Sequence, residues 1–191
     1  MKKGYKYKII LASKSPRRQH LLRELGFEFS VRIMNSDEQY PEGLSMVEIP
    51  VFLAEQKAKP LKETLKKDEL LITADTIVWH DNRVLGKPRD RKEAVDMLTS
   101  LSNREHQVVT GVCLTSRNRQ KSFYSVSNVT FKQLSADEIN YYIDHFKPFD
   151  KAGSYGIQEW IGYIGVTHIE GSFFNVMGLP VQELYRELMA F

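Results

Sequence analysis

The ten residues Leu70 to Trp79, reading LLITADTIVW, restrict the fold of this chain more than any other stretch. Ile72, Ile77 and Val78 predict a strand, yet Asp75 stands in its middle. An unpaired buried carboxylate is strongly unfavourable, so Asp75 must be paired, bound to a metal or turned into a polar cleft. The structural alternative is that Asp75 marks the end of the strand and accepts backbone hydrogen bonds. Gly86 and Pro88 then fix Lys87 in a loop beside this strand. A lysine so placed is ordinarily a surface group, but next to Asp75 it is within reach of a phosphate.

A second stretch asks for an anion. Ile10 to Leu25 reads ILASKSPRRQHLLREL, a short apolar strand, a polar loop and a helix ending at Gly26. Ser15 stands at the N-cap and Pro16 at the first helical position, and Arg17 and Arg18 fill the first turn. Two cations at the positive end of a helix oppose its dipole, and a bound phosphate resolves that conflict. A capped surface helix with two solvated arginines is the competing reading.

The remaining chain predicts one α/β domain over residues 1–191. Strands are expected over Phe27 to Ile33, His106 to Ser116 and Gln120 to Phe131, the last two as a long hairpin. Helices are expected from Ser45, over Asp90 to Leu101, over Ser135 to Phe146 and over Pro180 to Met189, with a kink or boundary at Pro60. Tyr141, Tyr142 and Phe146 read as core. The acidic Ser36, Asp37, Glu38 segment fits either a metal site or a solvated turn. Glycines crowd the Pro148 to Gly178 region near Asp150, Lys151 and Gln158, which suits close approach of backbone to a ligand or turns between short strands.

Totals exclude several classes. The formal net charge of +3 is too small to demand nucleic acid, though it permits a local basic cleft. After the basic MKKGYKYK start, the apolar run Ile9 to Ala12 is too short for a signal peptide or a membrane span, so a cytoplasmic location is expected. Cys113 is the only cysteine, which rules out an internal disulfide and any cysteine-based zinc cluster.

In this order, LASKSPRR, AEQKA, ADTIV followed by LGKP, DKAGSYGIQ and IEGSFFNVMGLP resemble the Maf family over nearly the whole chain. That resemblance implies a nucleoside triphosphate pyrophosphatase with a fold like that of the inosine triphosphate pyrophosphatases. It implies a long mixed or antiparallel twisted sheet with flanking helices, a cleft between two lobes, a divalent cation (Mg²⁺ or Mn²⁺) and a homodimer. Ser13, Ser15, Arg17 and Arg18 would line the triphosphate site, Lys57 and Lys87 would contact phosphates, and Asp75 would be the general base and a metal ligand. Asp37 and Glu38 match an acidic pair that helps to hold the metal, although the family usually has Glu where this chain has Asp37. Arg17, Thr76 and Gln158 match the members that prefer dTTP and UTP. The rivals are a pyrophosphatase for inosine, xanthosine or 7-methyl-GTP nucleotides, and a non-catalytic nucleotide-binding regulator of cell division or septum formation.

Overall fold

A computed structural model describes residues 5–33 and 39–191. Asp37 and Glu38 lie outside the described residues. Among the described residues seven strands form one mixed sheet: β1 (Lys8–Leu11), β2 (Phe29–Val31), β3 (Glu69–His80), β4 (Arg83–Leu85), β5 (Glu105–Thr115), β6 (Gln120–Phe131) and β7 (Val166–Glu170). Their order is β2-β1-β3-β5-β6-β7, with β4 beside β3. β1 runs parallel to both β2 and β3, whereas β4 and β7 pair antiparallel with β3 and β6. The sheet is therefore of the expected mixed class, and among the described residues no helix is long and apolar enough to cross a membrane.

The chain forms two compact units. One comprises Met1–Asp75, Thr110–Ser125 and Gly178–Phe191, and the other Thr76–Val109 and Val126–Met177.

In the first unit, α1 (Pro16–Glu24) begins at the predicted cap and ends before Gly26, whose φ of +75° suits a residue without a Cβ. α2 (Glu48–Lys62) places Ala54, Ala58 and Leu61 on one stripe, and they pack with Leu65 against Ile10, Leu71 and Cys113 of three neighbouring strands. Small side chains on this stripe let the helix lie close to the sheet. The approach is tightest at Gly111 of β5, where a Cβ would fall 2.4 Å from the Pro50 carbonyl carbon and the Val51 nitrogen.

Two expectations about α2 need correction. The helix begins at Glu48 rather than Ser45, although Glu48 Oε2 still accepts from the Ser45 amide at 2.8 Å. It also continues through Pro60 to Lys62, because the proline falls in the last turn and the buried Leu61 holds that turn to the core.

In the second unit, α3 (Arg91–Leu101) and α4 (Ala136–Phe146) begin at Asp90 and Ser135 as predicted, and Ser135 with Glu138 makes a complete capping box. The β3–β4 turn uses Asp81 and Asn82, both in the left-handed region at φ of 49° and 57°, as a tight hairpin requires. The core gathers Leu98, Leu101, Phe131, Tyr142, Tyr155 and Ile161. Tyr142 is buried as expected, but Tyr141 and Phe146 lie on the outer side of α4 and are exposed. The glycine-rich region forms mainly helical turns: a short 3-10 turn (Ala152–Ser154), α5 (Trp160–Gly165) and α6 (Phe173–Met177). α7 (Val181–Ala190) closes the chain in the first unit.

Candidate active site

The loop before α1 is braced at both ends. Ser13 Oγ accepts from the Ser15 amide at 3.2 Å, and the Gln19 side-chain amide donates to the Ser13 carbonyl at 3.0 Å. Ser15 Oγ accepts from the Arg18 amide at 3.4 Å, a helix N-cap. Arg18 then reaches away from its helix: Nε donates to the Gly178 carbonyl at 2.7 Å and Nη1 to the Ala74 carbonyl at 2.9 Å. Ala74 precedes Asp75, so a guanidinium charge is fixed beside that carboxylate, and β3 runs on through Asp75 rather than ending there.

Asp75 is paired. Lys57 Nζ forms an ion pair with Asp75 Oδ1, and the two side chains are 16% and 15% exposed, Lys57 first. The pair depends on how α2 sits on β3. Thr73 Oγ1 donates to the Ala54 carbonyl at 2.7 Å, joining the strand two residues before Asp75 to the helix three residues before Lys57. Together with the contact at Gly111, this sets the height at which Lys57 meets the carboxylate. Ser13, Ser15, Arg17, Arg18, Lys57 and Asp75 all belong to the first unit.

Thr76, Lys87 and Gln158 belong to the second unit. Thr76 follows Asp75 on β3 and is half-buried, and Lys87 is exposed on the loop after β4. That loop is tied to the glycine-rich segment, since the Gly153 amide donates to the Gly86 carbonyl at 3.1 Å. Gly153 itself has a φ of +66°, and a Cβ there would meet Val78 Cγ2 at 2.8 Å.

Around Gln158 the structure holds a network that the sequence does not announce. Tyr142 Oη donates to Glu159 Oε2 and accepts from the Gly156 amide at 3.0 Å. Glu159 Oε1 receives Lys151 Nζ at 3.1 Å, and Lys151 also meets Asp150 Oδ1 at 2.7 Å. Burial, followed by the Glu159 carboxylate, pushes the Tyr142 phenol far above its ordinary value, so it keeps its proton and donates. Gln158 Oε1 is buried and accepts no hydrogen bond. A buried acceptor left unpaired costs about 1–3 kcal/mol.

Among the described residues no three His, Cys, Asp or Glu side chains gather as a metal cage. Asp75 alone still suits Mg²⁺, which takes one or two protein carboxylates and completes its shell with substrate phosphates and water.

The Maf-like protein family model matches residues 8–191. The chain belongs to the Maf family. Among curated members, a protein of Bacteroides fragilis named dTTP/UTP pyrophosphatase is 56% identical over 184 residues, covering 96% of this chain and 95% of that protein. A Phocaeicola vulgatus protein of the same name is 58% identical over 184 residues, with the same coverage. A third, from Porphyromonas gingivalis, is 53% identical over 189 residues, covering 97% of this chain and 95% of its own. The match thus spans about 95% of the length of these relatives, and the Lys57–Asp75 pair and the Tyr142–Glu159–Lys151 network both lie inside the residues matched to the Maf model.

Proposed function

We propose that this Maf protein hydrolyses dTTP and UTP to the monophosphate and pyrophosphate, a step that trims the nucleotide pool. The observation that carries the reading is the Lys57–Asp75 pair beside Arg18, within a chain more than half identical to proteins named for that activity. Asp75 is the general base. It orients a water and takes its proton as the water oxygen bonds to the α-phosphorus and the bond to the bridging oxygen breaks, so that pyrophosphate leaves. Lys57 sets the direction of the carboxylate in the resting protein and turns to phosphate when substrate arrives. Arg18, held by its two carbonyls, contributes fixed charge, while Lys87 and the Ser13 to Ser15 loop bind phosphate oxygens.

A divalent cation, Mg²⁺ or Mn²⁺, neutralises phosphate charge and acidifies bound water when present. Asp75 would hold it, with Asp37 and Glu38 as the further proposed ligands. Gln158 is the residue proposed to read the base, and Arg17 and Thr76 are the further proposed specificity residues. Uracil and thymine present an N–H at ring position 3, which a glutamine amide oxygen can accept. We further propose a cytoplasmic homodimer, which light scattering on the purified protein tests.

The deciding experiment follows pyrophosphate release over a nucleotide panel with Mg²⁺, with Mn²⁺ and with chelator. Turnover of dTTP and UTP that stops on chelation is expected. Preference for inosine, xanthosine or 7-methyl-guanosine triphosphates contradicts the substrate assignment, and binding without hydrolysis by clean protein supports a non-catalytic role.

A further inference from the structure

A lysine that meets a phosphate gives up rotamer freedom, and the loss is greater if the backbone beneath it must also be ordered. Lys87 is exposed on the loop after β4, yet the backbone that carries it is held. Leu85 before it and Pro88 after it are both buried, so only Gly86 and Lys87 stand out between them. Pro88 also steers the residue before it toward extended backbone.

What remains to be fixed is the peptide unit joining Gly86 to Lys87. Its carbonyl accepts from the Gly153 amide at 3.1 Å. A peptide unit is planar, so a bond that holds the Gly86 oxygen also sets the Lys87 N–H and the position of its Cα. Gly86, Lys87 and Gly153 all belong to the second unit.

Gly153 makes that bond from a place that other residues cannot occupy without strain. Its φ is +66°, and a Cβ would fall 2.8 Å from Val78 Cγ2 and 3.1 Å from Val78 Cβ. Val78 is buried on β3, and its branched side chain has little rotamer freedom with which to give way. The next residue, Ser154, is fully buried and also left-handed, at φ of +61°, a conformation disfavoured for a residue with a Cβ.

This left-handed pair turns the chain sharply just after the Gly153 amide, and the chain returns to the core at Tyr155. The turn is held from behind. The Ser154 amide donates to the Lys151 carbonyl at 3.2 Å and the Lys151 amide to the Pro148 carbonyl at 3.2 Å. The Lys151 side chain is 8% exposed and meets both Glu159 and Asp150. Backbone strain persists where the surroundings over-determine it, and it concentrates at working sites.

We propose that Gly153 is a positioning residue for Lys87: its amide, presented by a left-handed turn that Lys151 and Glu159 brace, fixes the backbone from which Lys87 reaches a substrate phosphate. The proposal rests on the assignment of Lys87 to phosphate binding. It requires no contact between Gly153 and substrate.

The test is a double-mutant cycle on KM and kcat for dTTP with Gly153→Ala, Lys87→Ala and the two combined, with thermal unfolding of each protein. Gly153→Ala is expected to raise KM about tenfold and to change kcat less, and Lys87→Ala to raise KM by at least as much. In the Lys87→Ala background, Gly153→Ala should add less than about twofold to KM while lowering the melting temperature as much as it does alone. Multiplying KM effects overturn the proposal, as does an unchanged KM in Gly153→Ala, whatever the melting temperature does. If Gly153→Ala does not fold, hydrogen exchange on the wild-type protein decides. The Gly153 amide should then exchange about a hundredfold more slowly than an open loop amide, and exchange at the open-loop rate rejects the idea. Should Lys87→Ala keep the wild-type KM and kcat, the phosphate assignment of Lys87 fails, and the positioning role with it. Should Lys87→Ala raise KM while Gly153→Ala does not, the positioning role alone fails.

Discussion

Two lysine–carboxylate pairs are the instructive comparison in this molecule. Lys57 and Asp75 meet across eighteen positions of sequence, Lys151 and Glu159 within one loop. Glu159 has both oxygens committed, one to Lys151 and one to the Tyr142 hydroxyl, and these bonds hold the glycine-rich segment in shape. Asp75 lies on a strand whose neighbouring carbonyl is gripped by Arg18, so its backbone is fixed while its carboxylate faces the single ammonium group of Lys57, carried on a long side chain from α2. The same two residue types thus serve as frame in one place and as chemistry in the other. Which they become is decided by how many partners the carboxylate has and how rigid those partners are.

The largest difference between the pairs should appear in turnover. Asp75→Asn keeps the shape and a hydrogen bond to Lys57 but removes the base, and steady-state kinetics are expected to show a loss of about 10²–10⁴-fold. Nucleotide binding, measured by calorimetry, should persist. The matching substitution in the frame, Glu159→Gln, should lower stability in urea unfolding while changing the turnover number far less than Asp75→Asn does. Equal losses from the two changes would erase the distinction between them.

Next in size is the support beneath Lys57. Gly111→Ala drives a Cβ into the Pro50 and Val51 backbone, which cannot yield as a flexible side chain would. A loss of about 3 kcal/mol in urea unfolding is expected, with activity reduced in the protein that remains folded. Wild-type stability would mean that α2 does not depend on this approach.

The frame also predicts a pH effect. His106 is buried against Phe131 and Tyr155, with Nε2 2.7 Å from the Tyr155 hydroxyl. Burial, with the nearby His80 adding to it, depresses its pKa to about 3. The unfolded chain takes up that proton near pH 6.5 and the folded chain does not, so stability is fully present above about 6.5 and is lost as pH falls toward 3. Between pH 7 and 5 the histidine should account for about 2 kcal/mol. His106→Gln should lose correspondingly less over the same interval in urea titrations.

The smallest effect belongs to Arg17. Arg17→Ala is expected to change the ratio of dTTP to other nucleotides by a few-fold rather than turnover as a whole. A uniform loss across the panel would assign Arg17 to phosphate instead of base.

What the sequence disclosed follows from the range of the forces concerned. The caps at Ser15, Asp90 and Ser135, the β3 strand and the β5–β6 hairpin depend on neighbours a few residues away, and all were legible. Asp75 advertised a problem, a charge within an apolar run, but not its solution, because Lys57 arrives only through the packing of α2 on β3. Tyr142 read as an ordinary core aromatic. Its hydroxyl gains meaning only when α4 sets it against Gly156 and Glu159, and neither spacing nor composition records that contact. A glycine inside a strand was the one available signal for the close approach at Gly111. The exposure of Tyr141 and Phe146 was likewise a matter of which face of α4 meets the core.

The central claim is that water, activated at Asp75, attacks the phosphorus next to the nucleoside. Hydrolysis of dTTP in ¹⁸O-enriched water, with both products analysed by mass spectrometry, tests it directly. The label is predicted in dTMP, with unlabelled pyrophosphate. Label in the pyrophosphate, or release of orthophosphate and dTDP, would contradict the account.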